Sequence, residues 1–283
     1  MTLPEQIARC AKPLVAPNKK VYSTLSLADR DALAATAGVL KREVELTALE
    51  AGTVPQRYLR NMGSLGVEGQ KKLLQSRVFL VGVGGLGGTI AQLLARMGVG
   101  TLMVADGDCF SEDNLNRQAF CLEMNVGVSK VQVARAQLAQ INAATVVETF
   151  EGFLQEGGFA SLVKGSSVAI DALDNLPSRF QLEKACKEGG VPLVHGAVAG
   201  FSGQVTVIFP EDMGFKAIYG EPQTTPEKGI EVELGNLAGI VSTVASLQVQ
   251  EAVKVITGIG RPLRNRLLFL DTMNGSAEII SLK

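Results

Sequence analysis

The sequence predicts an α/β fold: a Rossmann-like, mostly parallel sheet with flanking helices, an N-terminal helical extension before it and a C-terminal antiparallel hairpin after it. Three observations predict it. Val78 to Asp108, reading VFLVGVGGLGGTIAQLLARMGVGTLMVADGD, passes from an apolar run through Gly82, Gly84, Gly85, Gly87 and Gly88 into a helical pattern and then a second apolar run. Strand and helix patterns keep alternating beyond it, the arrangement that builds parallel sheets. At the end of the chain, Leu267–Asp271 and Ala277–Leu282 flank a short turn, as a hairpin would.

Composition narrows the function. The chain has 283 residues, ample for a real core, and a formal net charge of −1 with scattered lysines, so neither nucleic acid nor an anionic membrane is expected as partner. The run Val78–Val83 is too short to span a bilayer, and charges stand at the N-terminus where a signal peptide needs its apolar core, so the cytoplasm is the expected compartment. Cys10, Cys109, Cys121 and Cys186 are widely separated and form no C-x-x-C pair, which argues against structural zinc. The single histidine, His195, follows the apolar Val191–Val194 and reads as a packing residue.

In chain order, residues 1–25 carry Pro4, Pro13 and Pro17 without a clear period and read as an arm or loosely packed extension. Ser26 with Asp29 suggests a capped start, and Leu33, Leu40, Val44 and Leu49 suggest one helix ending at Gly52. The domain division expected is residues 1–55 as the extension and 56–283 as the main domain. After Pro55, Arg57-Tyr58-Leu59-Arg60 is a short basic segment, and Gly69–Leu74 a helix leading into the first strand. The glycine cluster lies between that strand and the next helix, where free amides and a ligand-accessible backbone favour an anion. Asp106 ends the following strand, where a ribose hydroxyl would lie. NAD, FAD, S-adenosylmethionine and ATP all fit this half; glycines serving only close helix packing are the plainer alternative.

Beyond Asp108 come a polar loop, Ser111–Gln118, a helix around Lys130–Asn142, and strands at Thr145–Phe150 and Ser167–Ala172. Pro177 suits the first turn of a helix running to Glu188. Strand QVTVIF follows Gly203; Pro210–Leu234 is a long loop rich in Gly and Pro; Leu237–Thr257 is an apolar helix. Gly84, Asp106 and Asp174 thus fall at the carboxyl ends of parallel strands and meet in one crevice. Arg117 and Lys130 bring two cations toward the glycine turn, more than a pyrophosphate needs and suited to a triphosphate, with Asp174 opposite as a magnesium ligand. The plainer alternative makes Arg117 and Lys130 solvated charges and Asp174 a helix N-cap. The combination describes phosphoryl or nucleotidyl transfer.

The ordered series R-Y-x-R, G-Q-x-x-L, G-x-G-G-L-G, D-x-D, N-L-x-R-Q, G-x-x-K, D-x-x-D-N, P-L-V-x-G, G-Q-x-T-V and S-L-Q-x-x-E-A-x-K, from about Arg57 to Asp271, resembles the MoeB/ThiF/HesA group, bacterial relatives of ubiquitin-activating enzymes. The resemblance implies an ATP- and Mg2+-dependent adenylyltransferase acting on the C-terminal Gly-Gly carboxylate of a small ubiquitin-like carrier such as MoaD or ThiS. It makes Gly82, Gly84, Gly85, Leu86 and Gly87 the phosphate turn and puts Asp106 on the ribose. Asn114, Arg117, Gln118 and Lys130 surround the phosphates, Asp174 holds magnesium, and Asp108 and Asn175 complete the set. Arg60 of R-Y-x-R would cross a two-fold interface into the partner's site, hence a homodimer. The chain departs from the family in lacking both C-x-x-C zinc pairs, so packing between the loop and the terminal hairpin must replace the metal. The loop cysteine of covalent carrier chemistry falls near Glu231, where no thiol stands, and Asn61 takes the place of a glutamine. Three rivals stand beside this reading: an NAD- or FAD-dependent oxidoreductase, which leaves Arg117, Lys130 and Asp174 unemployed; a non-catalytic dimeric scaffold for carrier or nucleotide; and a dehydratase that activates a modified tRNA nucleoside.

Overall fold

The computed structural model describes residues 1–17, 19–154, 157–222, 226 and 229–282. The main sheet has eight strands: β4 (Arg77–Val81), β5 (Thr101–Asp106), β6 (Val146–Glu151), β7 (Val168–Asp171), β8 (Leu193–Ala199), β9 (Ser202–Ile208), β10 (Arg266–Asp271) and β11 (Ser276–Ser281). Their order is β11-β10-β9-β8-β7-β4-β5-β6. Pairs β8-β7-β4-β5-β6 are parallel, whereas β9, β10 and β11 join antiparallel, the last two as the expected hairpin. The chain leaves β4 toward β5 and β6, then crosses back to β7 on the other side of β4. Loops after β4 and β7 therefore diverge, and a crevice opens at that switch of direction.

Alternation along each strand divides the core into two layers. Val78 and Leu80, with Leu102, Val104, Val168 and Ile170, face a core completed by α4 (Gly66–Gln75), α5 (Gly85–Met97), α6 (Lys130–Ile141) and α11 (Ala238–Thr257). Phe79 and Val81, with Met103, Ala105 and Ala169, face α7 (Gly158–Val163) and α8 (Leu176–Gly189). Among the described residues, no helix is long and apolar enough to cross a membrane.

The N-terminal region differs from the sequence expectation in two respects. Residues 1–25 are no loose arm: α1 (Leu3–Cys10), β1 (Lys12–Val15) and β2 (Val21–Leu25) are formed, and β2 pairs with both β1 and β3 (Thr53–Pro55) in a second sheet. Ile7 and Leu25 are fully buried in a small core of their own, too few apolar positions to leave a legible period. The expected single helix is two, α2 (Leu27–Ala37) and α3 (Lys41–Glu50), because Gly38 takes a left-handed conformation at φ 66° and ends the first. The extension is thus α/β, not helical alone. A buried polar chain ties it to the main sheet. Arg30 Nη1 donates to Glu45 Oε1 at 2.8 Å, Tyr58 OH to Glu45 Oε2 at 2.8 Å, Asn142 Nδ2 to Tyr58 OH at 3.1 Å, and Arg57 to Asn142 and the Ile141 carbonyl. Arg57 is therefore a structural residue, not a free surface charge.

The expected loop Pro210–Leu234 carries two single-turn helices, α9 (Lys216–Tyr219) and α10 (Glu231–Leu234), while positions 223–225 and 227–228 lie outside the described residues. Phe215 anchors its first half: fully buried, it meets the His195 ring edge-on at 4.9 Å and the Phe180 ring at 5.8 Å. The Phe215 amide donates to Glu183 at 3.2 Å, and Arg264, just before the hairpin, pairs with Asp212 at 2.8 Å. Packing into the sheet holds this segment, with the hairpin side contributing an ion pair. Phe215→Ala is expected to cost about 3–5 kcal/mol of unfolding free energy in urea titrations. Zinc added before unfolding should leave the wild-type midpoint in place; a zinc-dependent shift would reassign the anchor to a metal.

Candidate active site

The crevice at the switch point is a cleft of ≈ 200 Å³. Gly82 follows β4 at φ 90°, and a Cβ there would collide with the Ala172 carbonyl oxygen; one on Gly87 would collide with the Gly82 carbonyl oxygen. Both glycines are required for α5 to start this close to the tips of β4 and β7. Gly84 caps α5 and lines the cleft, so the N-terminal end of the helix, with its amides unpaired within the helix, starts at the cleft.

Asp106 stands at the tip of β5 and accepts the Val83 amide at 2.6 Å on one oxygen and the Asp108 amide at 2.8 Å on the other. Each carboxylate oxygen keeps a further lone pair, the acceptors a vicinal diol would use. Burial raises the Asp106 carboxyl above its ordinary value, against the opposing pull of the Asp108 and Val83 amides and of Lys130. Lys130 begins α6, where the helix's own field disfavours a cation. It is nonetheless buried, held by Asp108 at 3.0 Å, and so is not the solvated charge of the plainer alternative. Gln118 also lines the cleft and is buried, and its Oε1 lacks a hydrogen-bond partner, an acceptor that a ligand or water must satisfy.

Opposite lies Asp174. The N-cap of α8 is not Asp174 but Asn175, whose Oδ1 accepts the Ser178 amide at 2.9 Å and whose Nδ2 donates to Asp174 at 3.3 Å. Capping therefore does not account for Asp174, which stays exposed at the cleft. One exposed carboxylate beside a phosphate-sized nest fits Mg2+ bound with a polyphosphate and water. Among the described residues, no three His, Cys, Asp or Glu side chains cluster as a protein-only metal site.

Not every residue expected from sequence lines the cleft. Gly82, Gly84, Asp106, Asp108, Gln118, Lys130, Asp174 and Asn175 do. Leu86 belongs to the core and Gly87 to the helix–strand contact. Arg117 is half-buried with its stem over Gly85, but its guanidinium donates to the Asp113 carbonyl at 2.9 Å and to Asn116 at 2.7 Å. Asn114 accepts the Ser111 amide at 3.3 Å and shapes the loop carrying Arg117. Arg60 is exposed on the 3-10 turn Gln56–Asn61 and borders no described cavity wall of its own subunit's cleft. Sequence reading missed the apolar end formed by Phe153, Leu154, Phe159 and Leu173. Its one sequence signal is that Phe153 and Leu154 follow a strand end at the same sheet edge.

A second cavity, a groove of ≈ 500 Å³, adjoins the first. Its walls are mostly apolar, from Leu176, Ala197, Val198, Ile230, Leu234 and Phe269, with Arg179, Ser202, Gln204, Tyr219 and Glu231 among the polar members. Asp174 lines both cavities. None of the four cysteines lines either one.

The chain is similar to known proteins over most of its length. The chain is 39% identical over 229 residues to the SAMP-activating enzyme E1 of Haloferax volcanii, covering 79% of this chain and 84% of that protein. It is 35% identical over 224 residues to the molybdopterin-synthase adenylyltransferase of Escherichia coli, covering 77% and 88%. Against the adenylyltransferase and sulfurtransferase MOCS3-1 of Zea mays, identity is 34% over 230 residues, 80% of this chain but 49% of that longer protein. Among solved structures, PaaA superposes with TM-score 0.68 at 20% identity over 97% of this chain and 99% of its own. E. coli MccB with ATP gives TM-score 0.70 at 17% identity, covering 99% and 86%; both show a shared fold. The ThiF family model matches residues 58–283, and the chain belongs to the ThiF family.

Proposed function

We propose that this ThiF-family adenylyltransferase uses ATP to activate the C-terminal Gly-Gly carboxylate of a small ubiquitin-like sulfur carrier as an acyl-adenylate, in the biosynthesis of a sulfur-containing cofactor. The observation that carries the reading is Asp174, which borders both a nucleotide-sized cleft and an apolar groove suited to an extended tail. In this reading the purine lies against Phe153, Leu154 and Phe159, the ribose diol donates to Asp106, and the phosphates rest on the amides after Gly84 beside Lys130 and Gln118. The tail enters along the groove. Its carboxylate oxygen attacks the α-phosphorus, the bond from that phosphorus to the bridging oxygen breaks, and pyrophosphate leaves. Asp174 would hold Mg2+, which would supply charge neutralisation on the phosphates, with Asn175 beside it at the nucleotide. Arg117 swings its guanidinium from the Asp113 carbonyl to the triphosphate, and Arg60 reaches the partner's site across a homodimer. Residues 1–55 form an extension packed on the adenylating domain, 56–283, through a core shared by Leu49, Val54, Tyr58 and Leu74. A buried lysine and a metal-ready carboxylate have no task in a hydride-transfer site, and this favours adenylation over an oxidoreductase.

Pyrophosphate exchange into ATP is expected only with Mg2+ and a carrier ending in Gly-Gly. Lys130→Ala or Asp174→Ala should slow it by roughly 10² to 10³, the scale for losing one preorganised charge. Folded, ATP-binding enzyme that supports exchange with none of the host's small carriers would sink the proposal.

Because the ribose hydroxyls need an ionised Asp106, whose carboxyl burial raises above 3.8, ATP affinity should be full at neutral pH. It should fall on acidification through that raised value, earlier than for an ordinary carboxylate. Calorimetric ATP titrations across pH read this directly, and Asp106→Asn should be weak and flat with pH. An unchanged profile in the variant would remove Asp106 from the ribose.

If Arg60 acts in trans, Arg60→Ala and Asp174→Ala homodimers are each nearly inactive while a mixed dimer keeps one intact site. About half of randomly reassorted dimers are mixed, so roughly a quarter of wild-type activity should return on mixing. Absence of recovery after verified subunit exchange rejects the trans role.

A further inference from the structure

His195 lies outside the adenylation chemistry, yet it is fully buried at the centre of a hydrogen-bonded chain. In the parallel register β7–β8 it stands beside Asp171, and both point to the α8 side of the sheet. Its Nδ1 is 2.6 Å from Asp171 Oδ2, and its Nε2 is 2.8 Å from the Tyr219 hydroxyl. Asp171 is also ion-paired with Arg179, whose Nε is 3.2 Å away, and accepts the Leu173 amide at 2.9 Å, while Arg179 Nη2 donates to the Leu173 carbonyl at 2.7 Å. At the other end, Gln204 Nε2 donates to the Tyr219 oxygen at 2.6 Å.

The donor directions follow from chemistry. A carboxylate only accepts, so Nδ1 carries the proton and Nε2 is the acceptor for the Tyr219 hydroxyl, whose own oxygen accepts from Gln204. Burial holds the imidazole below its ordinary value against the pull of Asp171, with Arg179 reinforcing burial, so it is neutral at physiological pH. Gln204 Nε2 also lies 3.3 Å from His195 Nε2, and the chain runs from the groove-lining segment at Tyr219 to the turn Leu173–Asp174 beside the cleft.

We propose that His195 is a positioning residue: by binding Tyr219 on one ring nitrogen and Asp171 on the other, it fixes the groove-lining segment relative to the Asp174 turn. Cleft and groove then hold one mutual geometry, as transfer between a nucleotide in one and a carboxylate in the other requires. This rests on the adenylation reading for its purpose but not for its test. Arg179 and Tyr219 line the groove while Leu173 lines the cleft, so a change at either end has a short path to the other.

Hydrogen–deuterium exchange on the full-length protein tests it. Tyr219→Phe removes the hydroxyl alone, and His195→Gln keeps one donor and one acceptor. In either, amides of residues 216–219 and 172–175 should exchange about 3- to 10-fold faster, the loss of one hydrogen bond, with β4 and β5 unchanged. The double variant should be no faster than the faster single. In the wild type, Mg-ATP should slow exchange around Tyr219, and Tyr219→Phe should abolish that remote protection. Unchanged exchange at both segments, an equal rise across the whole sheet, or additive effects in the double variant would overturn the proposal. Calorimetry on the same samples reports ATP binding separately, so failure of the nucleotide reading is distinguishable.

Discussion

The close seating of α5 on the tips of β4 and β7 is the constraint on which the rest depends. With side chains at Gly82 or Gly87 the helix would have to lift away from the Ala172 and Gly82 carbonyls. Its free amides would then leave the crevice, and Asp106, which binds the Val83 amide of the same turn, would lose the partner that aims it. One backbone contact thus fixes the anion nest, the orientation of the β5 carboxylate and the distance to Asp174 across the cleft. Lys130 shows the same logic at the start of α6. Its charge opposes the helix field, and Asp108 keeps it in place until an anion adds to the balance.

A second constraint is how the loop Phe209–Leu237 is held without metal ligands in the described residues. A structural metal fixes a loop through four directional bonds; Phe215 does so through shape, seated against His195, Phe180 and Tyr219. Shape alone leaves rotation about the anchor, and the polar links at Glu183, Asp212 and Tyr219 remove it. Burying Asp171 is tolerable for the same reason. Burial alone would raise its carboxyl, but Arg179 and the His195 N–H reverse this and hold it below the ordinary carboxylate range.

The centre of the sheet was legible because β4, β5 and β7 are buried on both faces and read as short apolar runs, and the glycine turn and Asp106 fall where such runs end. Asp174 was legible as a strand-end carboxylate, but its freedom from capping was not, since Asp174 and Asn175 are equivalent candidates in sequence. Arg117 and Asn114 were placed in the correct loop, though not the use of their side chains within it, because hydrogen bonds to nearby carbonyls leave no periodic trace. The N-terminal sheet was hidden for a related reason. Its strands are short, β1 is entirely exposed, and only Ile7, Leu25 and a few helix residues report its core. Glu45 is buried between Arg30 and Tyr58, a pairing between positions 15 and 13 residues away that helix periodicity does not show.

The loop position where related chemistry would call for a thiol carries Glu231 at the start of α10, beside an apolar groove. A carboxylate there could in principle attack an acyl-adenylate, but the product would be an anhydride as reactive as the adenylate itself, with no gain in driving force. Among the described lining residues the hydroxyls are those of Tyr219, pushed up to about 12 by burial, and Ser202, while Arg179 is ion-paired with Asp171. What the groove does supply is apolar wall on both sides of the Asp174 turn, which keeps water from a mixed anhydride formed there. Under the adenylation reading, the described lining favours keeping the activated carboxylate intact over capturing it on Glu231 or Tyr219.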